Sequence, residues 1–292
     1  MNKWHRRTWV AACWLACGLL IGTAAAQPAK IALVIGNAGY TDAPALPQAM
    51  AQTLKQLGFQ VILALDADKR GMDEAMERFG KRIENGGVAL FYYSGHGLQE
   101  DGINYLIPLA SGIKKKADIP YQAVSANWAL ASMEEWNEQG VNLMILDACR
   151  TPFKGMTKNG LAPMEAAGSV VAYATAANTP AEIEPGATYS IYTAQLLKVL
   201  QANPCQKITD LLLEVADLVV AGGSGQQPYL TLSPGVRRFQ FAECATQTPT
   251  PRPSSCWENA TPGATCAEPT TGRVCVCAGR LLSDGQQRWR FL

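Results

Sequence analysis

Two apolar runs in this chain stop at reactive side chains. Val88 to Tyr93 leads into Ser94-Gly95-His96-Gly97, and Val141 to Leu146 leads into Asp147-Ala148-Cys149-Arg150. A thiol attacks as its thiolate, and a neighbouring histidine can take its proton. The same imidazole can later protonate a departing amine in acyl transfer. His96 and Cys149 are therefore the minimal pair for nucleophilic thiol chemistry. The tetrahedral oxyanion of such a reaction needs donors, and the backbone N–H groups of Gly97 and Cys149 are the candidates. The glycines flanking His96 are expected to turn the chain tightly and expose such groups. Each motif alone has a plainer reading. A cysteine after an apolar run is commonly a small buried hydrophobe, and a loop histidine is commonly a hydrogen-bonded surface residue. Both motifs at strand ends in one α/β pattern favour the catalytic reading.

The amino terminus sharpens the residue arithmetic. Lys3, His5, Arg6 and Arg7 form a basic stretch, Trp9 to Ile21 is apolar, and Ala24-Ala25-Ala26 gives a small-residue cleavage pattern. That order is a secretory signal over residues 1–26, with Gln27 as the mature start. The apolar run is short for a spanning helix, so no stable membrane anchor is expected after removal. The expected location is exported, periplasmic or extracellular. Of two histidines, His5 leaves with the signal and His96 stays. Of nine cysteines, Cys13 and Cys17 leave. Setting Cys149 aside, Cys205, Cys244, Cys256, Cys266, Cys275 and Cys277 form an even set able to pair in an oxidising compartment.

The positioning elements follow from periodicity. Lys30 to Gly36, Phe59 to Leu65, Val88 to Tyr93, Val141 to Leu146 and Ser169 to Thr175 read as strands, with Val236 to Phe241 as a last one. Leu46 to Leu57, Lys69 to Ile83, Ala126 to Glu138, Ser190 to Leu200 and Ile208 to Val220 read as helices. The Met72, Met76, Phe79 and Ile83 stripe is a core face. Asn104 to Pro108 reads as half of a hairpin. Strands alternating with helices predict an α/β fold, a three-layer α/β/α sandwich on a mostly parallel central sheet. In such sheets the working residues lie just past the carboxyl ends of the strands. The main α/β unit is expected over residues 27–243. A Pro- and Thr-rich linker follows over 244–255. Residues 256–292 form a small Cys-rich extension that needs staples to fold. Cys275-Val276-Cys277 has no histidine nearby, and disulfides are preferred there to a metal.

Tyr92-Tyr93-Ser94-Gly95-His96-Gly97 and Leu146-Asp147-Ala148-Cys149-Arg150 resemble the two signature motifs of the caspase and metacaspase superfamily of cysteine peptidases, its bacterial caspase-like branch above all. Ala32 to Asn37, Leu57-Gly58-Phe59, Asn104 to Pro108, Gly160 to Pro163, Tyr173-Ala174-Thr175 and Ser190 to Thr193 fit the same pattern in order. The resemblance implies Cys149 as nucleophile and His96 as general acid/base. It implies Asp147 as an acidic residue lining the primary specificity pocket, and hence cleavage after Arg or Lys. A partly buried carboxylate calls for a cationic partner, which agrees. A second acidic pocket residue, usual after the first strand, is missing from Leu46 to Leu54; Asp42 is the substitute candidate. Self-cleavage at Lys154 or Lys158 is a further implication. No cofactor is expected; calcium is possible by family resemblance only, and no calcium-loop pattern occurs.

The bulk numbers agree with this reading. A net charge of +1 with no basic run beyond Lys114-Lys115-Lys116 argues against nucleic acid. The expected partners are protein or peptide substrates. The alternative is a weak or inactive caspase-like binding or scaffold protein, motivated by the shortened Leu46 to Leu54 segment. A different acyl-transferring thiol enzyme on a similar sheet is a further rival. Ile35 to Gly39 has too few glycines for a phosphate cradle, so a nucleotide-binding domain is disfavoured.

Overall fold

The computed structural model describes residues 28–37, 45–149, 161–175, 190–223, 225–243, 265–267 and 274–276. The chain divides into two compact units, Met1–Ala242 and Glu243–Leu292. The first is built on strands β1 (Lys30–Asn37), β2 (Gln60–Leu65), β3 (Val88–Glu100), β6 (Val141–Cys149), β7 (Ser169–Tyr173) and β8 (Tyr229–Leu232). They lie in the order β2-β1-β3-β6-β7-β8. All neighbours are parallel except β7 and β8. The two central strands are apolar on both faces because helices cover both faces.

Alternation along the strands sorts the core into two layers. Leu90 and Tyr92 of β3 pack with Leu143 and Ile145 of β6 on one side. That side is covered by α1 (Ala45–Gln56), α5 (Ile191–Ala202) and α6 (Ile208–Ala221). Ala89, Phe91 and Tyr93 face the other side, against α2 (Lys69–Gly80) and α4 (Ala126–Trp136). The Met72, Met76 and Phe79 stripe is buried there as expected, with Ile83 partly buried. Each fully buried side chain of this size contributes roughly 1.5–3 kcal/mol. Asp68 starts α2 by accepting the Gly71 N–H, and Ser125 starts α4 by accepting the Trp128 N–H. The result is the expected three-layer α/β/α sandwich.

Three expectations need correction. First, β3 does not stop at Tyr93 nor β6 at Leu146; they run to Glu100 and Cys149. His96 and Cys149 therefore lie within strands rather than past their ends. Second, the glycines around His96 make no tight turn, since neither has a positive φ. A Cβ on Gly95 would stand 2.6 Å from the Tyr93 hydroxyl and 2.7 Å from the Asn37 carbonyl. One on Gly97 would stand 3.0 Å from the Ala148 Cβ. These glycines admit close neighbours to an extended strand. Third, Val236 to Phe241 is not a strand. Pro234–Val236 forms a 3-10 turn, only Gln240 makes an isolated bridge, to Lys207, and Phe241 packs on Phe59 and Phe239. The closing strand is β8 instead. Lys114 to Lys116 are exposed. Lys116 starts a 3-10 turn and pairs with Glu100 at 2.9 Å.

Beyond the sheet edge β3 enters a hairpin with β4 (Ile103–Leu106), which also pairs with β5 (Val124–Ser125). Asp101 and Gly102 both have positive φ, 50° and 80°, the conformation a two-residue hairpin turn requires. A separate apolar cluster, with Leu98, Tyr105, Ile107 and Ile119, supports the hairpin. Ile119 belongs to the short helix α3 (Ile119–Gln122).

Cys205, between α5 and α6, is disulfide-bonded. In the second unit, β9 (Thr265–Ala267) and β10 (Val274–Val276) pair antiparallel, with Cys266 opposite Cys275. The signal stretch and the 244–255 linker lie outside the described residues. Among the described residues no helix is long and apolar enough to cross a membrane.

Candidate active site

The site forms where two strands outrun their neighbours. Pairing of β1 with β3 ends at Asn37 opposite Gly95, and pairing of β6 with β7 ends at Leu146 opposite Tyr173. Pairing of β3 with β6 continues to Ser94 opposite Asp147 and ends at His96 opposite Cys149. The two residues singled out as catalytic thus hold partnered positions on adjacent strands, where backbones lie about 4.8 Å apart. Alternation places positions 147 and 149 on the face of Leu143 and Ile145, toward α1, α5 and α6.

The strand under His96 is held from several sides. The Tyr93 hydroxyl donates to the His96 carbonyl at 2.7 Å and lies 3.0 Å from the Ile107 carbonyl. The Asn37 side chain donates to the Ala67 carbonyl at 3.0 Å and accepts from the Ala67 N–H at 2.9 Å, tying the β1 end to the loop before α2. The Ile107 N–H donates to the His96 carbonyl at 2.9 Å. That bond makes Gly97 and Leu106 a non-hydrogen-bonded pair of the antiparallel ladder. The Gly97 N–H is therefore directed away from β4. Of the two oxyanion candidates, Gly97 is buried directly after His96, and position 149 is the last of β6.

Asp147 is 1% exposed, on the strand and under the N-terminus of α5. Ser190 caps that helix by accepting the Thr193 N–H at 3.1 Å. The Ser190 and Thr193 hydroxyls both donate to Asp147 Oδ2. Thr193 Oγ1 in turn lies 2.7 Å from the Tyr92 hydroxyl. Asp147 Oδ1 is buried with no hydrogen-bond partner among the described residues. Burial raises the Asp147 pKa, and the two hydroxyl bonds oppose that rise. Burial, then the nearby Asp147 charge, push the Tyr92 phenol well above its ordinary value. A helix N-terminus favours a nearby carboxylate.

Sequence reasoning named Asp147 but no role for its holders. Ser190 and Thr193 lie 43 and 46 residues away. Their signals are a hydroxyl residue placed to cap a predicted helix, with a second one turn in, and the match of Ser190 to Thr193 to the family pattern. The anchoring role of Asn104 was also missed. Asn104 is fully buried, donates to the Ala162 carbonyl at 2.8 Å and accepts the Ala162 N–H at 2.7 Å. It thereby fixes the chain that returns from the segment after Cys149. Asp42, Lys154 and Lys158 lie outside the described residues. Among the described residues no group of three or more His, Cys, Asp or Glu side chains gathers as a metal site.

A sequence model of the caspase domain, Peptidase_C14, matches residues 29–240. The chain belongs to the caspase-domain family. That family is one of cysteine peptidases, which act on protein substrates. The chain is also similar to mucosa-associated lymphoid tissue lymphoma translocation protein 1 of Homo sapiens, at 32% identity over 130 residues. The homologue from Mus musculus matches to the same extent. The alignment covers 41% of this chain and 15% of each relative. The match to the caspase domain takes in both strands of the site and the α5 start that holds Asp147.

Proposed function

We propose that this caspase-domain protein is an exported cysteine endopeptidase that cleaves after basic residues. The observation that carries the reading is the register pair of His96 and Cys149, two residues from the buried Asp147 carboxylate. In this reading His96 takes the Cys149 thiol proton and the thiolate attacks the peptide carbonyl. The oxyanion is met by the N–H groups of Gly97 and Cys149. The tetrahedral intermediate collapses to a thioester, and His96 protonates the departing amine. Water, deprotonated by His96, then hydrolyses the thioester. Asp147 Oδ1, desolvated and unpaired among the described residues, favours a cation in the adjoining pocket.

Two features support export. Cys205 is disulfide-bonded, and the amino-terminal stretch has the order of a secretory signal. Cys266 and Cys275 hold partnered positions on β9 and β10. The test of activity uses the mature full chain and fluorogenic peptides differing only in the residue before the scissile bond. Arg- and Lys-ended peptides are expected to be cleaved, with both Cys149→Ala and His96→Ala inactive. Activity that survives in folded Cys149→Ala protein would sink the assignment.

A further inference from the structure

The two oxygens of Asp147 are in unlike states. Oδ2 accepts from two hydroxyls, while Oδ1, equally buried, has no partner among the described residues. A carboxylate oxygen offers about two lone pairs, so Ser190 and Thr193 fill Oδ2. The protons can be counted. Thr193 spends its single hydroxyl proton on Oδ2. The Tyr92 hydroxyl, 2.7 Å from Thr193 Oγ1, therefore supplies the proton of that contact. Ser190 gives its proton to Oδ2 and accepts the Thr193 N–H. Each of the three hydroxyls is committed, and together they fix which oxygen of Asp147 faces the helix.

We propose that Ser190 and Thr193 are specificity-determining positioning residues, holding Asp147 so that a substrate cation meets Oδ1 alone. This rests on the reading of Asp147 as the base of a pocket for a cationic side chain. A guanidinium pairs best with a carboxylate through two parallel N–H···O bonds, one to each oxygen. With Oδ2 occupied, Asp147 gives an arginine only one such bond. A lysine ammonium is a point-like donor and needs only one. Asp147 thus selects for positive charge without itself selecting the planar fork. The expected arginine-over-lysine preference is about tenfold or less, because the missing second bond is worth about that factor.

The test compares Arg- and Lys-ended reporters of otherwise identical sequence on the mature full chain and on three variants. Thr193→Val removes one donor and keeps shape. Thr193→Ser restores the donor. Ser190→Gly removes the other donor while remaining a tolerated helix cap. In Thr193→Val and Ser190→Gly, KM is expected to rise about tenfold for basic reporters, with kcat little changed. Lysine reporters should lose more than arginine ones, since an unpinned carboxylate can turn both oxygens to a guanidinium. The acid limb of kcat/KM should move to higher pH, because both hydroxyl bonds lower the Asp147 pKa. Thr193→Ser should restore all three readouts, which a merely structural role would not link.

The inference is overturned if the unaltered chain prefers arginine by more than about 100-fold. It is overturned equally if both donor-removing variants keep the parent KM, Arg/Lys ratio and acid limb. Should one variant fail to fold, the other decides. If neither basic reporter is cleaved while neutral ones are, the pocket reading itself falls, and this inference with it. If basic reporters are cleaved and the variants behave as the parent, only this inference falls.

Discussion

Val88 to Tyr93 and Ser94 to Glu100 belong to one strand and have different surroundings. The first half lies between β1 and β6, is fully buried, and pairs in parallel on both sides. The second half loses β1 after Gly95, loses β6 after His96, and turns to β4 as an antiparallel partner. His96 sits at the changeover. A strand held on both sides by parallel neighbours has its backbone groups committed, which suits a core. Past His96 the strand keeps β4 as its one partner among the described residues. The proposed chemistry therefore sits where the sheet stops being symmetrical.

The sharpest way to break this contrast is at the changeover itself. Cys149→Ala and His96→Ala are each expected to lower peptide cleavage by at least ~10⁴-fold with the fold intact by circular dichroism. Asp147→Asn, one pair back along the strands, should lower kcat/KM on basic reporters by about 10²–10³-fold while sparing thiol alkylation of Cys149. Its pH behaviour follows from the raised Asp147 pKa. The ionised carboxylate is the cation-holding form, so cleavage falls as pH drops through a value above the ordinary carboxylate range. The acid limb seen with the parent chain should shift or vanish in Asp147→Asn. For stability the sign is reversed. Ionisation is disfavoured in the folded chain, so this group removes stability as pH rises from its ordinary value through the raised one. Below the ordinary value it removes none.

Smaller effects sharpen the same comparison. Gly95→Ala drives a methyl against the Tyr93 hydroxyl and the Asn37 carbonyl. It should cost about 1–3 kcal/mol in urea unfolding and reduce activity more than stability. Asn104→Ala removes two bonds to Ala162. About 1–3 kcal/mol is the expected loss, measured the same way. Asp73→Asn, which breaks the exposed i,i+4 pair of α2 with Lys69, should change stability by no more than about 0.5 kcal/mol and activity not at all. An effect there as large as at Gly95 would erase the distinction between site and scaffold.

Most of the layered fold was legible because buried strands and amphipathic helices each carry their own period. The α2 stripe and the Asn104 hairpin segment are local signals and came through. What failed was non-local. Ser94-Gly95-His96-Gly97 reads as a turn because glycine beside a polar residue usually marks one. Here Gly95 is small for the sake of Tyr93 and Asn37, which only the fold brings near. Val236 to Phe241 alternates like a strand, yet Phe241 packs on Phe59 and Phe239 on Phe241, with no ladder beside them. The closing strand β8 is four residues long and half-exposed, too brief a pattern to stand out. At the site, His96 and Cys149 were legible as the chemistry-bearing residues of two motifs, and the structure sets them in register on adjacent strands. The holders of Asp147 were not, because a hydroxyl in a helix cap has a sufficient local reason to be there.

The chain from Ala162 to Ser169 is fastened at several points. Asn104 grips Ala162, the Tyr173 hydroxyl accepts the Met164 N–H at 2.8 Å, and Glu134 accepts from Ala167, Gly168 and Ser169. The upstream flank is secured as well, since β6 is paired to β3 as far as position 149. A peptide bond cut anywhere in 150–160 would therefore divide the polymer without releasing either piece. The two fragments would remain one sheet, joined by β6 against β7, and would migrate together until denatured. Such a molecule would be two chains in a denaturing gel and one particle in solution.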